Sequence, residues 1–246
     1  MRAWLLGSGG WIPTEKRETT CVLVREGESA LLLDAGTGLA RLVTQLGLLD
    51  GVRTLDIALT HFHLDHVCGL AYVPALPLTP TIWAPGRWLY DEPSARLLDP
   101  LRRAPISPSS PGELGEVREL GPRGQTIGPF QVAARAQPRH WAPTAGLRVV
   151  DALALVTDTA YDPGSAEFAR KVTHLLHEAW STSAEPAATE GDATAEEAGR
   201  VARDARASHL TLVHLNPRAD EPAVLADARR WVPEARLGRD STELAL

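Results

Sequence analysis

The sequence predicts an α/β protein, an αββα sandwich in which two mixed β-sheets pack face to face with helices outside. Three observations lead there. The 246 residues suit one large α/β unit with a sizeable buried core. Short Leu/Val-rich strands dominate the first two thirds of the chain. The last third alternates strand and helix. No segment reads as an interdomain linker, so residues 1–246 are expected to form a single domain.

The elements follow in order. Arg2–Leu6, Thr20–Arg25 and Ala30–Asp34 read as strands separated by glycine turns. Leu39, Leu42 and Leu46 recur at helical spacing and predict a helix over Gly38–Leu48. Leu55–Thr60 is an apolar strand running straight into a histidine cluster. Thr81–Ala84 reads as a strand, Ser94–Leu101 as a helix and Pro105–Gly115 as a Pro/Ser/Gly-rich loop. Four β-like stretches come next: Glu116–Leu120, Phe130–Arg135, Leu147–Val150 and Ala152–Thr157. Helix Ser165–Lys171, strand Thr173–His177, helix Thr194–Ala207, strand Leu210–Val213 and helix Ala223–Trp231 complete the chain. Thr194 with Glu197 three residues on is a capping-box signature. Glu178–Ala193 reads as a mobile loop.

Composition narrows the function. The net charge is −6, whereas proteins that neutralise many phosphates carry a basic excess. Apart from a local spot at Arg102 and Arg103, a large nucleic acid is not the expected partner, and a small phosphorylated substrate is. Two cysteines, Cys21 and Cys68, do not make a disulfide scaffold and fit a reducing cytoplasm. The apolar run Ala3–Leu6 is too short for a signal peptide, and no segment is long enough to span a membrane. The oligomeric state stays open, a homodimer included.

The chemistry concentrates in Thr60-His61-Phe62-His63-Leu64-Asp65-His66. His61 and His63, two apart on extended backbone, point the same way. Asp65 and His66 turn into a following helix and can serve a second metal. Mixed imidazole and carboxylate donors suit catalytic ions rather than closed structural ones. A surface histidine cluster without metal is the plainer alternative, and the aspartate's offset inside the cluster argues against it.

This His-x-His-x-Asp-His run resembles the signature of the metallo-β-lactamase superfamily. Leu31-Leu32-Leu33-Asp34-Ala35-Gly36 is similar to that family's early strand, and His140, Asp158 and His214 stand where it places its remaining ligands. Gly7-Ser8-Gly9-Gly10, Asp158-Thr159, His177-Glu178-Ala179 and His214-Leu215-Asn216-Pro217-Arg218 resemble the ribonuclease Z and cyclic-phosphodiesterase branch. The resemblance implies two divalent metal ions, zinc foremost and manganese next. His61, His63 and His140 would hold one and Asp65, His66 and His214 the other, with Asp158 bridging. It also implies a metal-bridging hydroxide as nucleophile, with Asp65 and Asp158 as the catalytic carboxylates, and Asp34 as a brace for the metal loop.

Each residue also has a plainer reading. His140, between Pro138-Arg139 and Trp141-Ala142-Pro143, could be a solvated loop histidine, and Asp158 a turn residue. His214 ends an apolar strand, a usual place for functional groups. His177 and Glu178 either stand behind the ligands or form a buried structural pair. His174 and His209 read as ordinary strand-face histidines, Cys21 as a small buried hydrophobe, and Cys68 as packing rather than ligating.

Two departures from the ribonuclease Z pattern matter. That family resembles Gly191–Ala198 but has a proton-donating histidine where this chain has Asp192, and a partner glutamate where this chain has Leu155. Asp192 is either a substitute acid or a helix cap, and the cap is preferred. The expectation is a metal-dependent phosphodiesterase on a small or cyclic phosphodiester, with Arg218 within reach of a phosphate oxygen. Ester, thioester or lactone hydrolysis and tRNA 3′ processing are the alternatives on the same fold. The complete ligand set argues against a non-catalytic binding protein.

Overall fold

The unbroken apolar character of the Leu/Val runs arises because both faces of these strands are covered. The computed structural model describes residues 1–107, 111–137, 140–185 and 191–246. One seven-stranded sheet is built from β1 (Arg2–Gly7), β2 (Cys21–Glu26), β3 (Ser29–Leu33), β4 (Thr54–Ala58), β5 (Thr81–Ala84) and β6 (Glu116–Glu119). They lie side by side in that order, and β14 (Thr242–Leu244) closes the β1 edge. The second sheet runs β7 (Gln125–Ile127), β8 (Phe130–Gln137), β9 (Thr144–Val149), β10 (Leu153–Val156), β11 (His174–Glu178), β12 (His209–Val213) and β13 (Arg236–Leu237). Both sheets are mixed. Strands β3 to β6 are parallel, as are β10 to β13, and the pairs at the other side of each sheet are antiparallel.

Alternation along the strands sorts side chains into three layers of core. Leu5, Val22, Val24, Leu31 and Leu33 of the first sheet meet Phe130, Val132, Leu147, Leu155 and Leu176 of the second. The intervening residues Trp4, Leu6, Leu23 and Leu32 face outward beneath α1 (Leu39–Thr44) and α2 (Leu64–Val67) with the 3-10 turns that continue it. Ala154, Val156, Leu175 and Leu212 face outward beneath α6 (Ala195–Ala205) and α7 (Glu221–Arg229). Helix, sheet, sheet, helix is the expected αββα order. No helix among the described residues is long and apolar enough to cross a membrane.

Some element boundaries differ from the sequence reading. The helix expected over Gly38–Leu48 is α1 up to Thr44, and Leu46–Leu49 then tightens into a 3-10 turn. The Ser94–Leu101 helix divides likewise into α4 (Ser94–Leu98) and a 3-10 turn over Asp99–Arg102, which contains Pro100. Helix α3 (Gly86–Tyr90) and strands β7, β13 and β14 were not legible, because two to five residues carry no measurable period. Helix α5 spans Pro163–Phe168. Within the expected Pro105–Gly115 loop, residues 108–110 lie outside the described residues and Pro111–Leu114 forms a 3-10 turn. Of the Glu178–Ala193 segment, residues 186–190 lie outside them, as do Pro138 and Arg139 before His140.

Candidate metal centre

Functional groups gather where parallel strands of both sheets end, the usual crevice for ligands beside such strands. Asp34 follows β3, His61 follows β4, Asp158 follows β10, Glu178 ends β11 and His214 follows β12. Asp34, Asp158 and His214 all have positive φ, at 59°, 55° and 47°. Aspartate and histidine are among the side chains that best tolerate this left-handed conformation, which turns the chain sharply off the sheet.

The local sequence sets the rest. His63 has extended backbone (φ −61°, ψ 147°) and precedes α2, so Leu64–Val67 winds Asp65 and His66 back toward the preceding strand end. Three groups of ligand atoms, each mutually within 4.8 Å, result: His61, His66 and Asp158; His63, His140 and Asp158; Asp65, His66 and His214. All seven residues expected from the sequence are therefore brought together. Asp158 is the hub. Its Oδ1 lies 3.6 Å from His61 Nε2, 3.7 Å from His140 Nε2 and 3.5 Å from His214 Nε2, and its Oδ2 lies 3.2 Å from His66 Nε2.

The outer nitrogens of His61, His66 and His140 are tied down by hydrogen bonds. His66 Nδ1 lies 2.8 Å from Asp34 Oδ2. Thr60 Oγ1 lies 2.9 Å from the same carboxylate oxygen and 2.9 Å from His61 Nδ1, so one hydroxyl can accept from the ring and donate to Asp34. His140 Nδ1 donates to the Gly191 carbonyl at 2.8 Å. His214 Nδ1 faces Glu178 Oε2 at 3.4 Å. Such partners fix which nitrogen turns inward and how the ring is oriented. The inward Nε2 atoms of His61, His66 and His140 are buried with no hydrogen-bond partner. A buried polar atom without a partner is costly unless something coordinates it. Two ligand atoms about 2.0–2.2 Å from one tetrahedral ion stand about 3.3–3.6 Å apart, close to the 3.2–3.7 Å found around Asp158. The residues fit divalent ions.

Electrostatics agree. Burial, reinforced by His66, pulls His61 well below the ordinary histidine value and keeps it a neutral donor. Burial also opposes charge on His66 and His214. The carboxylates of Asp158 and Asp65, with Asp34 at His66 and Glu178 at His214, outweigh it and hold both well above the ordinary value. Asp65 is buried too, yet His66 and His214 keep it well below the usual carboxylate range. The centre thus demands positive charge, which divalent ions supply with displacement of ligand protons.

The model of the Beta-lactamase superfamily domain matches residues 30–215. The chain belongs to the metallo-β-lactamase superfamily. Within it the chain lies in the ribonuclease Z-like branch. It is 30% identical to ribonuclease Z of Nocardia farcinica over 87% of each chain. Its fold is shared with the metallo-β-lactamase fold protein YhfI from Bacillus subtilis (TM-score 0.82, 19% identity, 99% of both chains). It is shared also with a diphosphatase from the PhnP family (TM-score 0.75, 17% identity, 100% of this chain and 97% of the other). The chain is therefore a hydrolase of a fold that binds divalent metal.

Against this metallo-β-lactamase frame, several sequence expectations are corrected or sharpened. Asp192 is not the cap of α6. Thr194 is, its hydroxyl accepting from Glu197 N–H while Glu197 accepts from Thr194 N–H. Asp192 instead stands 3.6 Å from His140 Nδ1. Leu155 is fully buried between the sheets, away from any proton relay. Glu178 and His177 separate. Glu178 accepts from Thr159 N–H and Ala193 N–H and faces His214, and burial pushes its carboxyl up to about 7. His177 points to the opposite face of β11 and has no part in the cluster. Burial lowers it to about 4, and its Nδ1 donates to the Glu178 carbonyl. His174 is a buried strand-face residue bonded to Thr211 and Ala245, and His209 is its exposed neighbour. Cys21 lies in the core, and Cys68 is half-buried outside the three ligand groups.

Sequence reasoning gave no role to Thr60, Gly10 or Gly191. Gly10 lies against the His214 ring, where an added Cβ would fall 2.7 Å from Nδ1 and Cε1. Neither backbone nor ring can move without shifting the ligand. Gly10→Ala is expected to lower metal affinity at the His214 side about 10- to 100-fold, with the fold kept. Metal titration against a chromophoric chelator, paired with thermal unfolding, checks this. Unchanged affinity would mean that His214 tolerates displacement.

Proposed function

We propose that this chain is a metal-dependent phosphodiesterase acting on a small or cyclic phosphodiester in the cytoplasm, its whole length forming one catalytic domain. The observation that carries the reading is Asp158, one buried carboxylate whose Oδ1 faces His61, His140 and His214 and whose Oδ2 faces His66. In this reading His61, His63 and His140 hold one divalent ion, Asp65, His66 and His214 the second, and Asp158 contacts both, with zinc foremost and manganese next. Two such ions supply a water of lowered pKa and charge for the attacked group. The chain's own residues orient the ligands. Asp34 and Thr60 hold His66 and His61, Gly191 holds His140, and Glu178 stands behind His214.

Phosphodiesters are preferred among hydrolysable substrates because the relatives carry the names ribonuclease Z and diphosphatase. Arg218, exposed on the loop after His214, adds a cation for phosphate oxygen. A small substrate is preferred because the net charge is −6 and the Arg102–Arg103 spot is engaged internally. Arg103 pairs with Asp99, and Arg102 donates to the Gly115 carbonyl at 2.7 Å. Asp192 and Leu155 also leave the leaving oxygen of an RNA without the histidine–glutamate pair of the ribonuclease Z pattern. Processing of tRNA 3′ ends is the second reading, favoured by the near full-length likeness to proteins of that name.

The test uses protein reconstituted with zinc or with manganese. Close to two ions per chain are expected, with turnover of bis(p-nitrophenyl) phosphate that chelation abolishes and metal restores. Fewer than one tightly bound ion would overturn the metal assignment. Rapid, accurate 3′ cleavage of precursor tRNA by the same preparation would establish the second reading. Turnover of a lactone or thioester without any phosphodiester would replace both.

A further inference from the structure

Three tryptophans stand around the metal centre, each attached to a different ligand and carried by a different connection between strands or helices. Trp11 follows β1, and its backbone N–H donates to Asp65 Oδ2 at 2.8 Å. Trp141 follows His140 directly, and its ring lies on Gly191, where a Cβ would fall 2.7 Å from indole Cδ1 and Nε1. Trp180 follows β11, with its ring 5.6 Å from that of His214 and 31° from parallel.

These indoles are not in the core. Trp11 is 57% exposed and Trp141 72%. Of the nine most exposed large apolar side chains among the described residues, four belong to this mouth: Trp11, Ile12, Leu64 and Trp141. Leaving such surface in water is unfavourable, and contiguous apolar surface beside a polar centre marks a binding site. The Trp11 backbone is also held at φ +65°, an uncommon conformation for a bulky residue. Strain of this kind persists where surrounding contacts impose it, and it collects at functional sites. The same backbone is bonded to Asp65, so one contact ties a metal-site carboxylate to the residue that carries an indole.

We propose that Trp11, Trp141 and Trp180 form an indole rim that selects phosphodiesters carrying a planar aromatic group, an aryl ring or a nucleobase, beside the phosphate. This rests on the phosphodiesterase reading above and names its substrate class. The rim's occupant is a small molecule rather than another protein surface, because each tryptophan adjoins a metal-site residue: the Trp11 backbone bonds Asp65, Trp141 follows His140 and the Trp180 ring lies 5.6 Å from that of His214. Whatever lies on the indoles has its other end at the reacting centre. A planar ring is favoured over an alkyl chain because indole faces stack on flat π-systems without demanding a particular base. Trp180 also lines a cavity of about 350 Å³ that contains Asn216 and Arg218 together with the acidic Glu185 and Asp220, so an aromatic wall and a cation stand in one cavity beside the His214 loop.

The test separates binding from turnover. Calorimetric titration of the zinc-loaded protein with phenyl phosphate and with methyl phosphate gives a selectivity ratio that needs no catalysis. Phenyl phosphate is expected to bind about tenfold more tightly. Trp11→Ala and Trp141→Ala should each remove most of that ratio with metal content unchanged. Val150→Ala, at the opposite end of β10, should leave it intact. The kcat/KM values for the methyl diester of thymidine 5′-phosphate and for dimethyl phosphate, which share methoxide as leaving group and differ in carrying or lacking a nucleobase, should follow the same ratio, with the loss in KM. Equal binding of the two monoesters by the wild type, or alanine variants that keep the preference, would overturn the rim. Intact binding preference without turnover of either diester would overturn the phosphodiesterase reading and leave the rim standing.

Discussion

Replacing Asp158 with alanine is expected to lower hydrolysis roughly a thousandfold or more, because several kcal/mol of charge stabilisation depends on ions that this carboxylate would hold. Among the described residues no other side chain faces His61, His66, His140 and His214 together. The substitution also acts on the backbone. Asp158 has φ +55°, and alanine in that conformation costs about 1–2 kcal/mol. Asp158→Asn separates the two effects, since asparagine tolerates the left-handed region and keeps the side-chain shape. Both variants should lose activity and metal, and the alanine variant should lose more stability in the metal-free protein than the asparagine variant, which loses only the carboxylate's charge beside His66 and His214. Steady-state kinetics with metal analysis and thermal unfolding of each variant provide the check. An Asp158→Ala protein that hydrolyses its substrate near the wild-type rate would remove Asp158 from the centre of the mechanism.

The second large effect is expected at Asp34, which belongs to none of the three ligand groups. Its buried carboxylate accepts from Thr60 N–H at 2.8 Å and from Thr60 Oγ1, and pairs with His66 Nδ1 at 2.8 Å. Alanine would leave these donors buried and unpaired, at about 1–3 kcal/mol for each group left without a partner. A loss of about 3 kcal/mol corresponds to roughly 6–12 °C in Tm for a chain of this size. His66 would lose its orientation and, through Thr60, so would His61, with metal affinity falling about 10- to 100-fold. Asp34→Asn keeps one acceptor and the left-handed backbone, so it should fall between wild type and alanine. An Asp34→Ala protein that binds metal as tightly as wild type would show that the ligands orient themselves.

Much of this was legible along the chain. The Leu/Val runs declared their strands because alternate residues meet two different apolar layers, as Leu31 and Leu33 do on one side and Leu32 on the other. The Thr194–Glu197 box marked the start of α6 because both of its hydrogen bonds are local. The cluster from His61 to His66 declared metal chemistry because its spacing matches one strand end running into one helical turn. Boundaries and short edge strands were less legible, since β13 is two residues long and is formed only by its pairing with β12.

Residue type, spacing and period were enough to read the αββα class and the cluster from His61 to His66 along the chain, and the family resemblance of these motifs supplied His140, Asp158 and His214. How these side chains meet depends on the packing of the two sheets. Asp65 and His214 are 149 residues apart yet lie 3.3 Å from each other. That proximity exists because two separately formed sheets pack with their parallel strands ending at one crevice. The same packing moved Asp192 from the helix cap to the flank of His140 and put Glu178, but not His177, behind His214. It also laid Gly10 against a ligand ring and drew three distant tryptophans to one rim. None of these contacts has a local signal, because their energy comes from surfaces that touch only after the sheets have closed on each other.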